Sequence, residues 1–177
     1  MLKRALTHNK IKYINSYGHN LPLNDSTISI VTFAGSLFYA KSPQLIQELK
    51  RVCVEGATVI VYDFEIILDK LLNHLISSNC SLLSDYNHEI NFSNDSQMDH
   101  KEINVGNRTI AFKVSSSQLS HLLLSANARY NVFVEKYNVI EPHTFLVEEL
   151  ESIRRTHNLN ARIYYSRYLL KGINGRY

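Results

Sequence analysis

Apolar and polar positions alternate along this chain in two distinct rhythms. Ile28 to Phe33 (ISIVTF) is a short apolar run rich in β-branched residues, the pattern of a buried parallel strand. Ala34-Gly35-Ser36 breaks it, and Ser42-Pro43 then opens a helix with Leu45, Ile46, Leu49 and Val52 at helical spacing. Glu55-Gly56 is expected to close that helix, with the glycine in the left-handed terminal conformation. Ala57 to Phe64 (ATVIVYDF) predicts a second buried strand, and Ile66 to Ile76 an amphipathic helix. Strand and helix in this alternation imply βαβ units and a parallel sheet.

The flanks are less regular. Met1 to Leu6 predicts a short helical piece without a cap, and Lys12 to Asn15 a short strand closed by the turn Ser16 to Asn20. Ser77 to Asn107 is polar and predicts an inserted excursion with a short hairpin. Beyond it, Thr109–Val114 predicts a strand, and Ser115 to Ser117 cap a helix through Leu124. Tyr130–Tyr137 alternates as a strand does, Thr144 is expected to cap a helix running to about Thr156, and Ala161–Leu170 predicts a last strand.

With 177 residues and 45% apolar composition, residues 1–177 suit a single α/β domain able to bury a core. The 19 basic and 16 acidic residues are scattered, so no stripe favours nucleic acid. Cys53 and Cys80 lie apart, outside any zinc or redox spacing, and the eight histidines show no metal-ligand spacing. No signal-peptide pattern and no bilayer-length apolar run occurs, so no membrane partner and a cytoplasmic location are expected.

Several short pieces occur in a telling order. They are Met1-Leu2-Lys3-Arg4-Ala5, Leu21-Pro22-Leu23, Ile30-Val31, Ser36-Leu37, and Glu48-Leu49-Lys50-Arg51-Val52 through Glu55-Gly56-Ala57. From residue 1 to about residue 64 this series resembles the later part of class I S-adenosylmethionine-dependent methyltransferases of the type 11 kind. The resemblance implies an incomplete Rossmann-like methyltransferase sheet: parallel strands with an antiparallel C-terminal strand, lacking the first two strands. It implies S-adenosylmethionine as cofactor, with Ser16, Tyr17, Gly18 and His19 near the adenine. Ala34, Gly35 and Ser36 would then lie near the methionine portion and the methyl acceptor. Ligands of open parallel sheets sit at the carboxyl ends of the strands, so both loops are expected to line one crevice, with Asp63 at the same edge. Tyr39 and His143 are the candidates for orienting an acceptor.

The departures matter as much. Tyr17 stands where the family usually has an acidic residue, and Ile28-Ser29 where it has Phe-Asp. The family's glycine-rich turn, Gly-x-Gly-x-Gly, precedes the Met-Leu-x-x-Ala piece, and no Gly-x-Gly occurs in this sequence. Glycine there lets backbone approach the cofactor, so weak cofactor binding or none is expected. The first function reading is a methyltransferase-like protein for a small-molecule acceptor, inactive or cofactor-deficient as given. The alternative is a non-catalytic remnant or interaction module. The gap upstream would reflect a start set too far downstream, a decayed gene, or strands that pair differently, as across a homodimer.

Overall fold

The structure, a computed structural model, describes residues 8–76 and 85–171. The expected helix at Met1 to Leu6 and the first part of the Ser77–Asn107 stretch lie outside them.

Strand β1 (Ile28–Ala34) is followed by a short helix α1 (Leu37–Ala40), helix α2 (Pro43–Val52) and the long strand β2 (Cys53–Ile67). Helix α3 (Asp69–Leu75) and strand β3 (His100–Ser115) come next, then helices α4 (Ser116–Leu124), α5 (Asn127–Tyr137) and α6 (His143–Ile153), and strand β4 (Thr156–Leu170). The four strands form one sheet in the order β1-β2-β4-β3. β1 and β2 are parallel, with Ile30 opposite Thr58 and Ala34 opposite Tyr62. β4 is reversed: its end shares a compact unit with the beginning of β2. The mixed α/β sheet with a reversed last strand is the one expected from the sequence.

The chain clusters into two compact units. The first comprises Met1–Asp63, His88–Gly106 and Tyr165–Tyr177, the second Phe64–Asn87 and Asn107–Tyr164. In the first, α2 presses Leu45, Ile46, Leu49 and Val52 onto Phe33, Val59 and Val61, with Phe92 and Tyr168 in the same core. Phe92 is fully buried, and its N–H donates to the Tyr168 hydroxyl at 3.2 Å. In the second, Leu119 and Leu123 of α4, Phe133 of α5 and Leu146 and Leu150 of α6 form the core.

Local chemistry explains the element ends. The Ser42 hydroxyl accepts the Leu45 N–H at 3.1 Å, and Pro43 sits where its missing N–H costs nothing. Ser115 and Gln118 form a reciprocal capping box at the start of α4. Several expectations need correction. Residues 12–15 belong to no ladder; the chain from 11 to 16 is exposed, and an isolated bridge joins Tyr17 to Asn20. Tyr130–Tyr137 is helical, because Tyr130, Phe133, Val134 and Tyr137 also fit helical spacing and burial of Phe133 decides the matter. Pro142, not Thr144, occupies the cap of α6, and its carbonyl accepts the Leu146 N–H at 3.0 Å. Ile66 and Ile67 prolong β2 instead of opening α3.

Gly56 does adopt a positive φ of 73°, but inside β2. α2 ends at Val52 and the strand begins at once. The register with β1 then jumps from Ile28–Cys53 to Ile30–Thr58, a bulge that takes up the extra residues on the β2 side.

Candidate functional site

The carboxyl ends of the parallel pair carry the Ala34-Gly35-Ser36 connection. Gly35 has φ +59°, and its N–H donates to the Tyr62 carbonyl at 2.9 Å. A Cβ there would lie 3.4 Å from Oδ1 of Asp63. The glycine therefore serves the positive φ of the turn, and the carboxylate lies in front of it at ordinary contact distance. Asp63 is buried, and its Oδ1 lies 3.4 Å from Nδ1 of His88. Ser36 caps α1 without a side-chain hydrogen bond, and Leu37 beneath it is buried. Tyr39 projects from α1 at 79% exposure, with the Phe38 ring edge-on at 5.4 Å.

His88 was not singled out in the sequence. It is a lone histidine in a polar stretch, and only the return of that stretch to Asp63 gives it meaning. Lys41 ties the same stretch down. Its ammonium donates to the Asn91 carbonyl at 2.6 Å, lies 3.5 Å from Asp95 and sits 5.4 Å over the Phe92 ring.

The Ser16–His19 loop reaches this end of the sheet by a different route from the one expected. Gly18 packs on Leu45 in the first turn of α2, where a Cβ would stand 3.3 Å from Cδ1. From there the chain runs back along α2. The Leu21 N–H donates to Glu48 Oε1 at 2.6 Å, Arg51 donates to the Leu21 and Leu23 carbonyls, and the Thr27 N–H donates to Val52 at 2.8 Å. Since α2 starts beyond the end of β1, Gly18 and Gly35 lie at the same end. Arg51 also bonds Glu48 and Asp25, which holds the Glu48 carboxyl down to about 2 and raises the guanidinium value further.

Tyr17 is 75% exposed and stacked on His19, with ring centroids 5.4 Å apart. Asn15, Ser16, Tyr17, Asn20 and Pro22 line an open cavity of about 450 Å³. A comparable cavity of about 480 Å³ lies at the opposite, amino end of the pair, beside Ser26, Cys53 and Lys171. The end-of-strand rule favours the first for a ligand. Cys53 is buried and free, and burial raises its thiol pKa, the state of an inert thiol.

His143 belongs to the second unit. It opens α6, its ring lies 4.3 Å from that of His121, and its Nε2 is buried without a hydrogen-bond partner among the described residues. Its carbonyl accepts from Ser120 of α4 at 3.4 Å. These contacts fasten α6 to α4. In the same unit His157 is buried, its Nε2 3.1 Å from Ser116 Oγ, and burial lowers its pKa.

These residues fit S-adenosylmethionine poorly. The Ser16–His19 loop offers hydroxyls and aromatic rings but no carboxylate for the adenine amino group or ribose. The space in front of Gly35 is occupied by the Asp63 carboxylate.

No family model matches the sequence, and no curated protein matches it. Solved structures do match. The chain is similar to a protein described as a type II methyltransferase from Anaeromyxobacter dehalogenans, with a TM-score of 0.69 at 12% identity over 97% of this chain and 77% of that one. A protein described as a methyltransferase from Bacillus halodurans covers 93% of this chain, with 73% of its own length matched, at 13% identity and a TM-score of 0.46. The first likeness carries the fold; the second is too loose to add to it.

Proposed function

Because the chain has the fold of the class I S-adenosylmethionine-dependent methyltransferases, we propose that it is a methyltransferase-like protein for a small-molecule acceptor that is deficient in cofactor binding by itself. One observation carries the reading. At the ligand end of the β1–β2 pair, the space in front of Gly35 is occupied by the protein's own Asp63 carboxylate, 3.4 Å from the Cβ position. Tyr39 stands beside that end, exposed, where a phenol can orient an acceptor. Orientation alone contributes substantially to methyl transfer, so loss of cofactor grip leaves a positioning surface without its reactant.

Titration calorimetry of the full chain with S-adenosylmethionine tests this. The expected trace has no saturable heat at micromolar cofactor, and labelled cofactor transfers no methyl group to a small-metabolite mixture. Saturable micromolar binding overturns the deficiency. The second reading, an interaction module built on the same fold, is favoured by the outer edge of β1, which no other described strand pairs.

A further inference from the structure

β1 ends the sheet, yet its sequence is that of an interior strand. Among the described residues only β2 pairs with it. The N–H groups of Thr27 and Gly35 point to the inner side, donating to the carbonyls of Val52, the residue just before β2, and of Tyr62 in β2. Backbone groups alternate sides along a strand, so Ile28, Ile30, Thr32 and Ala34 aim their N–H and C=O groups at the open edge. The side chains of Ile30, Thr32 and Ala34 share the face away from the α2 core, whereas Ile28 is half-buried against that core: Ile30 is 60% exposed, Thr32 and Ala34 are exposed, and Tyr62 beside them on β2 is 46% exposed.

Edges are normally protected by lysine, proline or a bulge. ISIVTFA holds no charge and no proline, and the extra residues of the bulge near Gly56 belong to β2. We propose that this edge pairs antiparallel with the same edge of a second copy of the chain, about a two-fold axis at Val31. Ile30 then stands opposite the partner's Thr32, and Ile28 opposite the partner's Ala34.

A second copy suits the edge better than a foreign strand for two reasons. The edge is complementary to itself in that register, with every outward N–H facing a carbonyl. Its charge-free face also sets up no repulsion between copies, and two-fold pairing closes the edge without leaving another. Seven residues at ~3.3 Å each make a ladder of about 23 Å. Its buried area falls toward the low end of stable interfaces, which begin at ~1,200 Å², so the association should depend on concentration.

Sedimentation velocity on the full chain between about 1 and 100 µM, the span in which such small interfaces exchange, tests the pairing. Wild type should shift from a one-chain to a two-chain mass. I30K/T32K places lysines opposite lysines across the axis and should remain one chain throughout; I30E/T32E should do the same with carboxylates. Both positions are exposed, and circular dichroism would verify that each variant folds. An equal mixture of the two variants should restore the two-chain species, since lysines then meet glutamates. A wild type that stays one chain overturns the proposal, including one that instead takes up an unrelated strand. So does a two-chain mass that survives I30K/T32K, or a mixture that fails to recover it.

Discussion

Glu48 joins three parts of the chain through one carboxylate. It accepts from the Leu21 N–H at 2.6 Å and from the Arg51 guanidinium at 2.6 and 2.9 Å, while Arg51 reaches on to Asp25. Its pKa falls from an ordinary 4.5 to about 2, chiefly through the Arg51 hydrogen bonds. A folded value below the unfolded one means the contribution is complete above pH 4.5 and is lost as pH falls toward 2. Glu48→Gln should lower stability at neutral pH and flatten its decline across that acid window. Urea midpoints recorded against pH would reveal this; a variant with an unchanged acid limb contradicts it. The pair with Arg51 is legible as an i,i+3 contact on a helix. The bond to Leu21 is not, because nothing local indicates that residues 18–27 lie back along α2. Ser42 is the opposite case: a serine before proline and an apolar helical face needs only local chemistry to be read.

Among the elements, two glycines with similar φ do different work. Gly35 and Gly56 stand at +59° and +73°, and alanine in that region costs ~1–2 kcal/mol at either position. Gly56 has nothing within 4 Å of its Cβ position, whereas Gly35 meets the Asp63 carboxylate at 3.4 Å. The Asp63 contact is an ordinary one, so Gly35→Ala and Gly56→Ala should each destabilise through the backbone and by similar amounts. Denaturation free energies of both variants check this, and a variant as stable as wild type removes the conformational role assigned to its glycine. Gly56 was legible as a left-handed glycine but not as a bulge, since helix C-caps and strand bulges ask the same φ of the chain. α5 departs from the strand its pattern predicts for a related reason. Tyr130, Val132, Val134 and Lys136 alternate with residues of other character, but burial of Phe133 against α4 rewards the helical period instead.

Over the whole molecule, the βαβ rhythm made β1, α2 and β2 legible, and a last strand after a helix made the reversed β4 legible. The end-of-strand rule likewise located Ala34, Gly35, Ser36 and Asp63 at one edge. His88 escaped because its partner lies 25 positions away in the sequence, a separation (88 minus 63) that no periodicity spans. The strand expected at Lys12–Asn15 joins no ladder, and among the described residues the outer edge of β1, an apolar strand expected to be buried, has no neighbour.

That alternation has a consequence for isotope labelling. In heavy water, the amides of Val31 and Phe33, turned toward β2, should keep their protons long after Ile30 and Thr32 have taken up deuterium. The strand would carry a tooth-by-tooth pattern of slow and fast sites, and dilution or crowding of the sample would sharpen or erase it.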